Sequence, residues 1–219
     1  CKPTHLELVA PDQPIIQTIL RYTAPGSDSR ADLQIEQLTF TGRDDVPYFG
    51  VAAVLEQVDG VGELLFSAAD PFAAPTIRSR FCEVPRDAER LADCFLDAVR
   101  FTETGALGAM TEEVVFPDMN RIQDRDDLIA LLRRFSASGY HPCGTARMGP
   151  ADDPNTVVDQ YGRCHAVEGL VVADASIFPT VPRANTNPTS IMVGETIGER
   201  IRTVPSRYGL RNNAQPQKV

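Results

Sequence analysis

Three side chains between residues 139 and 190 are best suited to chemistry in this sequence: His141, Asp174 and Asn187. A histidine can take and give a proton near neutral pH, because its reference pKa is about 6.5. The side-chain amide of an asparagine can donate a hydrogen bond to an alkoxide as it forms. A carboxylate at the end of a buried strand is well placed to meet a ligand. An imidazole, a carboxylate and an amide of this kind could together surround a redox cofactor.

His141 is the candidate base among the three histidines of the chain. Pro142 favours an extended backbone at His141, and the glycines at positions 139 and 144 allow tight turns around it. His165, in contrast, lies in a polar stretch. Two interpretations of His141 stay open on these residues alone: a proton carrier, or a core imidazole satisfied by hydrogen bonds.

An antiparallel sheet is predicted in the first part of the chain, where apolar and polar side chains alternate almost perfectly over residues 33–41. The predicted strands cover residues 33–41, 48–56, 62–67 and 77–82. Between the second and the third lies Asp59-Gly60, a dipeptide that readily adopts the positive φ of a tight hairpin. We therefore expect a hairpin turn at this point.

Helices are predicted where apolar side chains recur at three- and four-residue spacing, over residues 86–103, 124–135 and 189–203. We interpret the first two as structural. Pro188 suits the first position of the third helix, and Asn187 just before it is of the type favoured as an N-cap. The continuously apolar residues 170–173 predict a strand buried on both faces, with Asp174 at its carboxyl end.

The composition is that of a globular protein, with 219 residues, 42% of them hydrophobic, and a formal net charge of −9. This charge disfavours a nucleic-acid partner. Five widely spaced cysteines without zinc-type spacing predict no metal site, and we expect most of them to be buried, reduced thiols. There is no run long enough for a membrane span and no signal peptide at the start, which favours a soluble, cytoplasmic protein over a secreted one.

Three motifs follow one another in the second half of the chain. They are His141-Pro142-x-Gly144-Thr145-x-x-Met148-Gly149, Val172-Ala173-Asp174-Ala175-Ser176-Ile177-x-Pro179 and Asn185-Thr186-Asn187-Pro188-Thr189. Their order and spacing resemble the C-terminal portion of the glucose-methanol-choline (GMC) family of FAD-dependent oxidoreductases. A weaker match at residues 67–77 extends the similarity to residues 45–203. The family's Gly-x-Gly-x-x-Gly fingerprint does not occur in this sequence, so we expect the C-terminal part of a larger flavoenzyme.

The resemblance implies an α+β fold class: an antiparallel sheet with flanking helices, plus C-terminal elements that complete an α/β FAD-binding domain. It implies a substrate-binding portion over residues 1–136, catalytic and flavin-facing segments over 137–205, and a flexible tail over 206–219. The cofactor implied is FAD, which also needs a dinucleotide-binding part that this sequence lacks. The cofactor-binding positions implied are Asp174, Ala175, Pro188 and Thr189. Asp174 needs polar donors, or alternatively a core arginine.

The activity implied by the resemblance is oxidation of the CH–OH group of a small-molecule alcohol by hydride transfer to flavin N5. His141 is then the acid/base and Asn187 the partner of the alkoxide, while the electron acceptor stays unknown. The start of the last helix would favour the anionic reduced flavin ring. We expect the chain alone to be inactive. Two alternatives stay open: a hydroxynitrile lyase with a redox-silent flavin, and a non-catalytic binding or structural domain.

Overall fold

The computed structural model describes residues 1–5, 7, 13–43 and 45–210. The chain divides into two compact units, Cys1–Ala137 and Ser138–Val219. The predicted α+β class is confirmed, because small antiparallel sheets and helices make up the fold. Each unit has a hydrophobic core of its own.

The strands of the first unit form small antiparallel sheets. In chain order the strands are β1 (Lys2–Pro3), β2 (Ile16–Tyr22), β3 (Leu33–Thr41), β4 (Pro47–Leu55), β5 (Glu63–Leu65), β6 (Thr76–Arg78) and β7 (Thr111–Glu113). Strands β2, β3 and β4 form one sheet in that order, β1 pairs with β7, and β5 pairs with β6. The strand predicted over residues 33–41 is confirmed at both ends, and the other three predicted strands are confirmed with shifted or shorter bounds.

The hairpin predicted at Asp59-Gly60 is wrong. Strand β4 pairs with β3 and strand β5 pairs with β6, so the dipeptide joins two different sheets. Its backbone amides donate instead to the side chain of Asp87, at 3.0 Å from Asp59 N to Oδ1 and 2.8 Å from Gly60 N to Oδ2. Neither Asp59 nor Gly60 has a positive φ, and a distant carboxylate takes the place of the partner strand.

The α-helices α1 (Pro85–Glu103), α2 (Gly105–Met110) and α3 (Arg125–Phe135) follow in the described part of the first unit. The helices predicted over residues 86–103 and 124–135 are confirmed to within one residue. Pro85 occupies the start of α1, where its missing N–H has no helical partner to lose. Asp124 is the N-cap of α3, and its carboxylate accepts the backbone N–H of Asp127 at 2.9 Å.

Helix α1 lies against the sheet and supplies buried side chains to both apolar clusters of the first unit. These side chains are Ala88, Leu91, Ala92, Cys94 and Ala98. Burial raises the pKa of the Cys94 thiol. All five cysteines are free, but only Cys82 and Cys94 are buried, so the expectation that most would be buried is wrong.

A buried ion network joins the sheet, α1 and the connection at Asp59. The guanidinium of Arg90 lies 3.0 Å from an Asp32 oxygen and 2.8 Å from an Asp87 oxygen, and all three side chains are almost completely buried. Asp32 also accepts hydrogen bonds from the backbone of Ala24 and the hydroxyl of Ser27. Such a network is stable only when every charged group is paired, as it is here.

The second unit is built from irregular segments packed against α4 (Thr186–Thr203). Its core consists of Val158, Ile177 and Ile197, with Val171 and Val172 packed against them. The strand predicted over residues 170–173 is wrong. This segment makes only an isolated bridge from Val171 to Arg163, because it is not buried on both faces and the side chain of Leu170 is exposed.

Gly162 explains why this segment can approach the core so closely. Its φ is +73°, a backbone conformation that favours glycine. A Cβ built there would lie 2.4 Å from the carbonyl oxygen of Val172, a steric clash that excludes any other residue at this position. The amide of Val172 donates to Gly162 O at 2.8 Å, so the two backbones run side by side.

Helix α4 begins at Thr186, three residues before the predicted start at Thr189. Pro188 is therefore the third helical residue rather than the first. A proline is tolerated there because the first four N–H groups of a helix have no acceptor within it. Asn185, not Asn187, occupies the N-cap position, and its side chain makes no capping bond.

The C-terminal region was predicted as a flexible tail from residue 206. Pro205–Tyr208 form a short 3-10 helix, and the Tyr208 hydroxyl donates to Tyr161 O at 3.2 Å. Residues 211–219 of the predicted tail lie outside the described residues. Among the helices of the part that the structure describes, none is long and apolar enough to cross a membrane.

Candidate active site

The loop that carries His141 is held by backbone bonds to the short 3-10 helix Ala175–Ile177. Amides of the loop donate in register to three successive carbonyl groups: Gly144 N to Ala175 O at 3.1 Å, Ala146 N to Ser176 O at 2.8 Å and Met148 N to Ile177 O at 2.9 Å. Gly144 has a φ of +78°, which turns the chain into this ladder after His141. These three hydrogen bonds join the first two sequence motifs, and the third of them ends at the buried Ile177.

The imidazole of His141 meets the start of α4 through both of its nitrogens. Nδ1 lies 3.0 Å from Thr186 Oγ1 and 3.4 Å from Thr186 N. Nε2 lies 2.8 Å from Asn185 Nδ2. The ring is half-buried, Thr186 is buried and Asn185 is exposed. Nδ1 therefore faces the protein and Nε2 faces an exposed amide.

The structure brings His141 to the motif that contains Asn187, but the nearest amide is that of Asn185. Asn187 is exposed, and its side chain has no hydrogen-bond partner among the described residues. Sequence reasoning missed Asn185 and Thr186 as contacts of the imidazole. In the sequence, two asparagines flank a threonine, so several polar side chains could contact the imidazole. Choosing among them requires knowing that the helix starts at Thr186. The catalytic roles of His141 and Asn187 stay predictions.

Asp174 is satisfied locally. Its carboxylate accepts the amide of Ser176 at 2.8 Å and the hydroxyl of Ser176 at 2.5 Å, and so caps the 3-10 helix that starts at Ala175. Asp174 is exposed and makes no ion pair within the described ranges. Arg147, which lies within the first motif, is paired with Asp153 at 2.6 Å. Asp174 and Ala175 thus lie beside the His141 loop, and their binding to a cofactor stays a prediction.

The start of α4 offers hydrogen-bond donors to an anionic or electron-rich group. The backbone amide of Asn187 lies in the first turn and has no acceptor within the helix, its side-chain amide has no partner among the described residues, and Pro188 contributes no N–H. A helix start also carries roughly half a positive charge. These donors, next to a half-buried imidazole, fit the electron-rich edge of a flavin ring. Pro188 and Thr189 lie at this end of the helix, and their contact with the cofactor stays a prediction.

Other polar groups near this loop are structural. The Nε2 atom of His165 lies 3.1 Å from the carbonyl oxygen of Gly149. Burial raises the pKa of the Cys143 thiol, which makes it a poorer nucleophile at neutral pH. Across the residues that the structure describes, no group of three or more His, Cys, Asp or Glu side chains could hold a metal ion.

Comparison with known proteins supports one family. A family model described as GMC oxidoreductase matches residues 59–194. The oxygen-dependent choline dehydrogenase of Sinorhizobium fredii (strain NBRC 101917 / NGR234) is 39% identical over 143 residues, which are 64% of this chain and 25% of that protein. The chain therefore spans about a quarter of this relative's length.

Two solved structures share the fold. Pyridoxine 4-oxidase from Mesorbium loti matches with a TM-score of 0.72 at 18% identity, over 84% of this chain and 37% of that one. Formate oxidase from Aspergillus oryzae RIB40, studied for the modification of its FAD, matches with a TM-score of 0.72 at 19% identity, over 83% of this chain and 33% of that one. The family model covers more than half of the sequence, and this chain belongs to the GMC oxidoreductase family.

Proposed function

We propose that this chain is the C-terminal part of an FAD-dependent oxidoreductase that oxidises the CH–OH group of a small alcohol, with His141 as the acid/base. One observation carries the proposal: the imidazole of His141 lies against the start of α4 with Nδ1 on a buried hydroxyl and Nε2 on an exposed amide. FAD, when bound, supplies the acceptor for the hydride. The side chains of this chain remove the hydroxyl proton of the substrate.

Nε2 is the nitrogen that a substrate hydroxyl can reach. Its partner is an exposed side-chain amide, which can exchange for another polar group at little cost, whereas Nδ1 is bonded to the buried Thr186. A substrate hydroxyl placed on Nε2 gives up its proton there as the C–H bond breaks. The alkoxide that forms needs a donor, and we assign this role to the Asn187 amide, which is exposed and has no other partner in the described part of the chain.

The relative from Sinorhizobium fredii makes choline the first alcohol to try. In the full-length protein, anaerobic addition of choline or another alcohol should bleach the visible absorbance of oxidised flavin. A hydroxynitrile lyase would leave that absorbance unchanged while cleaving its substrate. A non-catalytic domain would show neither a flavin nor a reaction.

Replacing His141 with Gln tests its role directly. The rate of flavin reduction should fall by about 10²- to 10⁴-fold, the usual contribution of a positioned acid/base. His165→Gln is the matched control, because that imidazole is bonded to a backbone carbonyl of the same unit, and it should reduce flavin at close to the wild-type rate. Equal rates for His141→Gln and wild type would refute the proposal.

The two asparagines can be separated in the same assay. Asn187→Ala should lower the rate constant for flavin reduction by about 10²- to 10³-fold, as loss of an oxyanion donor does. Asn185→Ala should act less on this constant, since its amide is displaced when the substrate binds. Asn120→Ala, an exposed asparagine of the first unit, is the control. If Asn185→Ala gives the larger loss, the alkoxide donor is Asn185 and not Asn187.

A further inference from the structure

We propose that Thr186 is a positioning residue that fixes the tautomer of His141, so that Nε2 keeps the free lone pair. This inference rests on the proposed function, which needs a base at Nε2. It concerns a residue that the motif comparison leaves without a role. A neutral imidazole carries a single N–H, so the contact at one nitrogen determines the role of the other.

The contact of Thr186 with the imidazole is made inside the protein. Thr186 is only 8% exposed, and its Oγ1 lies 3.0 Å from His141 Nδ1. Its backbone carbonyl accepts the hydroxyl of Ser190 at 2.9 Å, as part of the first turn of α4. The hydroxyl of Thr186 therefore has a fixed place on a regular helix, and fixed side chains orient a functional histidine better than mobile ones do.

A neutral imidazole has one N–H and one lone pair, so its two nitrogens must play opposite roles. If Nδ1 carries the proton, it donates to Thr186 Oγ1, and Nε2 accepts the amide N–H of Asn185. If Nε2 carries the proton, Nδ1 accepts from Thr186, and Asn185 must turn its carbonyl oxygen toward the ring. The placed Nδ2 of Asn185 and the short contact to Oγ1 are compatible with the first arrangement.

The backbone amide of Thr186 acts in the opposite direction. It is a donor that lies 3.4 Å from Nδ1, so it favours a lone pair on that nitrogen. The hydroxyl is the nearer group and can accept, and it thereby outweighs the amide. It has a second effect during the reaction: once Nε2 has taken the substrate proton, Nδ1–H still donates to Oγ1, and no rearrangement of the site is needed.

The test is to replace the hydroxyl without changing the shape. In Thr186→Val the only group of residue 186 near Nδ1 is the backbone donor, so the neutral ring should switch to the tautomer with the proton on Nε2. Thr186→Ser keeps the hydroxyl and should retain the wild-type tautomer. The readout is the pair of imidazole ¹⁵N chemical shifts of His141 in the full-length holoenzyme without substrate, assigned by their loss in His141→Gln.

Activity gives the second readout. Thr186→Val should lower the rate of flavin reduction by about 10- to 100-fold, the range seen when a residue that orients a functional histidine is removed. Thr186→Ser should recover most of that rate. Thermal unfolding of both variants shows whether the fold is retained, and the serine variant keeps the comparison valid if valine destabilises α4.

Each outcome decides between the possibilities. A wild-type ring protonated on Nε2, or a tautomer that is the same in Thr186→Val and wild type, overturns the proposal even if activity falls. A tautomer that switches in valine and returns in serine supports it. If that switch occurs in a protein that oxidises no alcohol, the role of Thr186 stands and the proposed function fails.

Discussion

Asp32 is a single carboxylate on which the first unit depends. Burial raises its pKa, but hydrogen bonds from Ser27, from the amide of Ala24 and from Arg90 outweigh this, and the pKa lies below its usual range. The carboxylate therefore stabilises the fold above the unfolded pKa of about 3.9, and this stability is lost as the pH falls through the lower folded value.

Asp32→Asn should lower the free energy of unfolding by about 3 kcal/mol at neutral pH, because it leaves the buried Arg90 without one of its carboxylates. The difference between variant and wild type should shrink in acid, where the wild-type carboxylate is also neutral. Chemical denaturation at several pH values measures both effects. Asp28→Asn is the control, since Asp28 pairs with Arg86 at the surface and should change stability little. A constant difference at every pH would contradict the prediction.

The catalytic candidates show how far single residues can be predicted. His141 could be selected because histidines are few and its motif is specific. The contacts at Asn185 and Thr186 could not, because Pro188 is compatible with the first or the third position of a helix, and this choice decides which side chains face the imidazole. Moving the start of the helix by three residues changes which asparagine is the N-cap, and it places Thr186 in the first turn instead of before the helix.

Among the elements, those set by local pattern were predicted well. Strand β3 and helices α1 and α3 have strong two-residue or three-to-four-residue periodicity, and their bounds differ from the prediction by one residue at most. The hairpin at Asp59 and the strand over residues 170–173 failed for a different reason. Both depended on which segment lies alongside, and that is decided by distant residues such as Asp87.

Helix α3 allows a test of one such local device. Asp124→Ala should destabilise the first unit by about 1 kcal/mol, because the backbone N–H of Asp127 loses its acceptor. Asp124→Asn keeps a side-chain oxygen and should retain most of the stability. Circular dichroism during chemical denaturation compares the three proteins. Equal losses in alanine and asparagine would show that charge, and not the cap, is responsible.

At the scale of the whole molecule, many large apolar side chains stay exposed. Those on or beside β2 are Ile15, Ile16, Ile19 and Leu20, each more than 40% exposed. Ile19 and Leu20 follow one another on the strand and point to opposite faces, so both faces of β2 carry exposed apolar side chains.

The 219-residue chain expressed by itself should bind no flavin and oxidise no alcohol, because the sequence has no Gly-x-Gly-x-x-Gly run to hold the dinucleotide. The visible absorbance of the purified chain after incubation with FAD and gel filtration measures this. The full-length protein is the positive control and should retain the colour. A yellow 219-residue chain would contradict the prediction.

The backbone amides of Asp59 and Gly60 donate to the Asp87 carboxylate, and these hydrogen bonds anchor an irregular connection to α1. To lift away from α1, this segment would have to uncover a carboxylate, a guanidinium and two peptide groups in a single step. A break in regular secondary structure is thus not a hinge at this point. Solvent exchange at these two amides should be as slow as in the neighbouring strands.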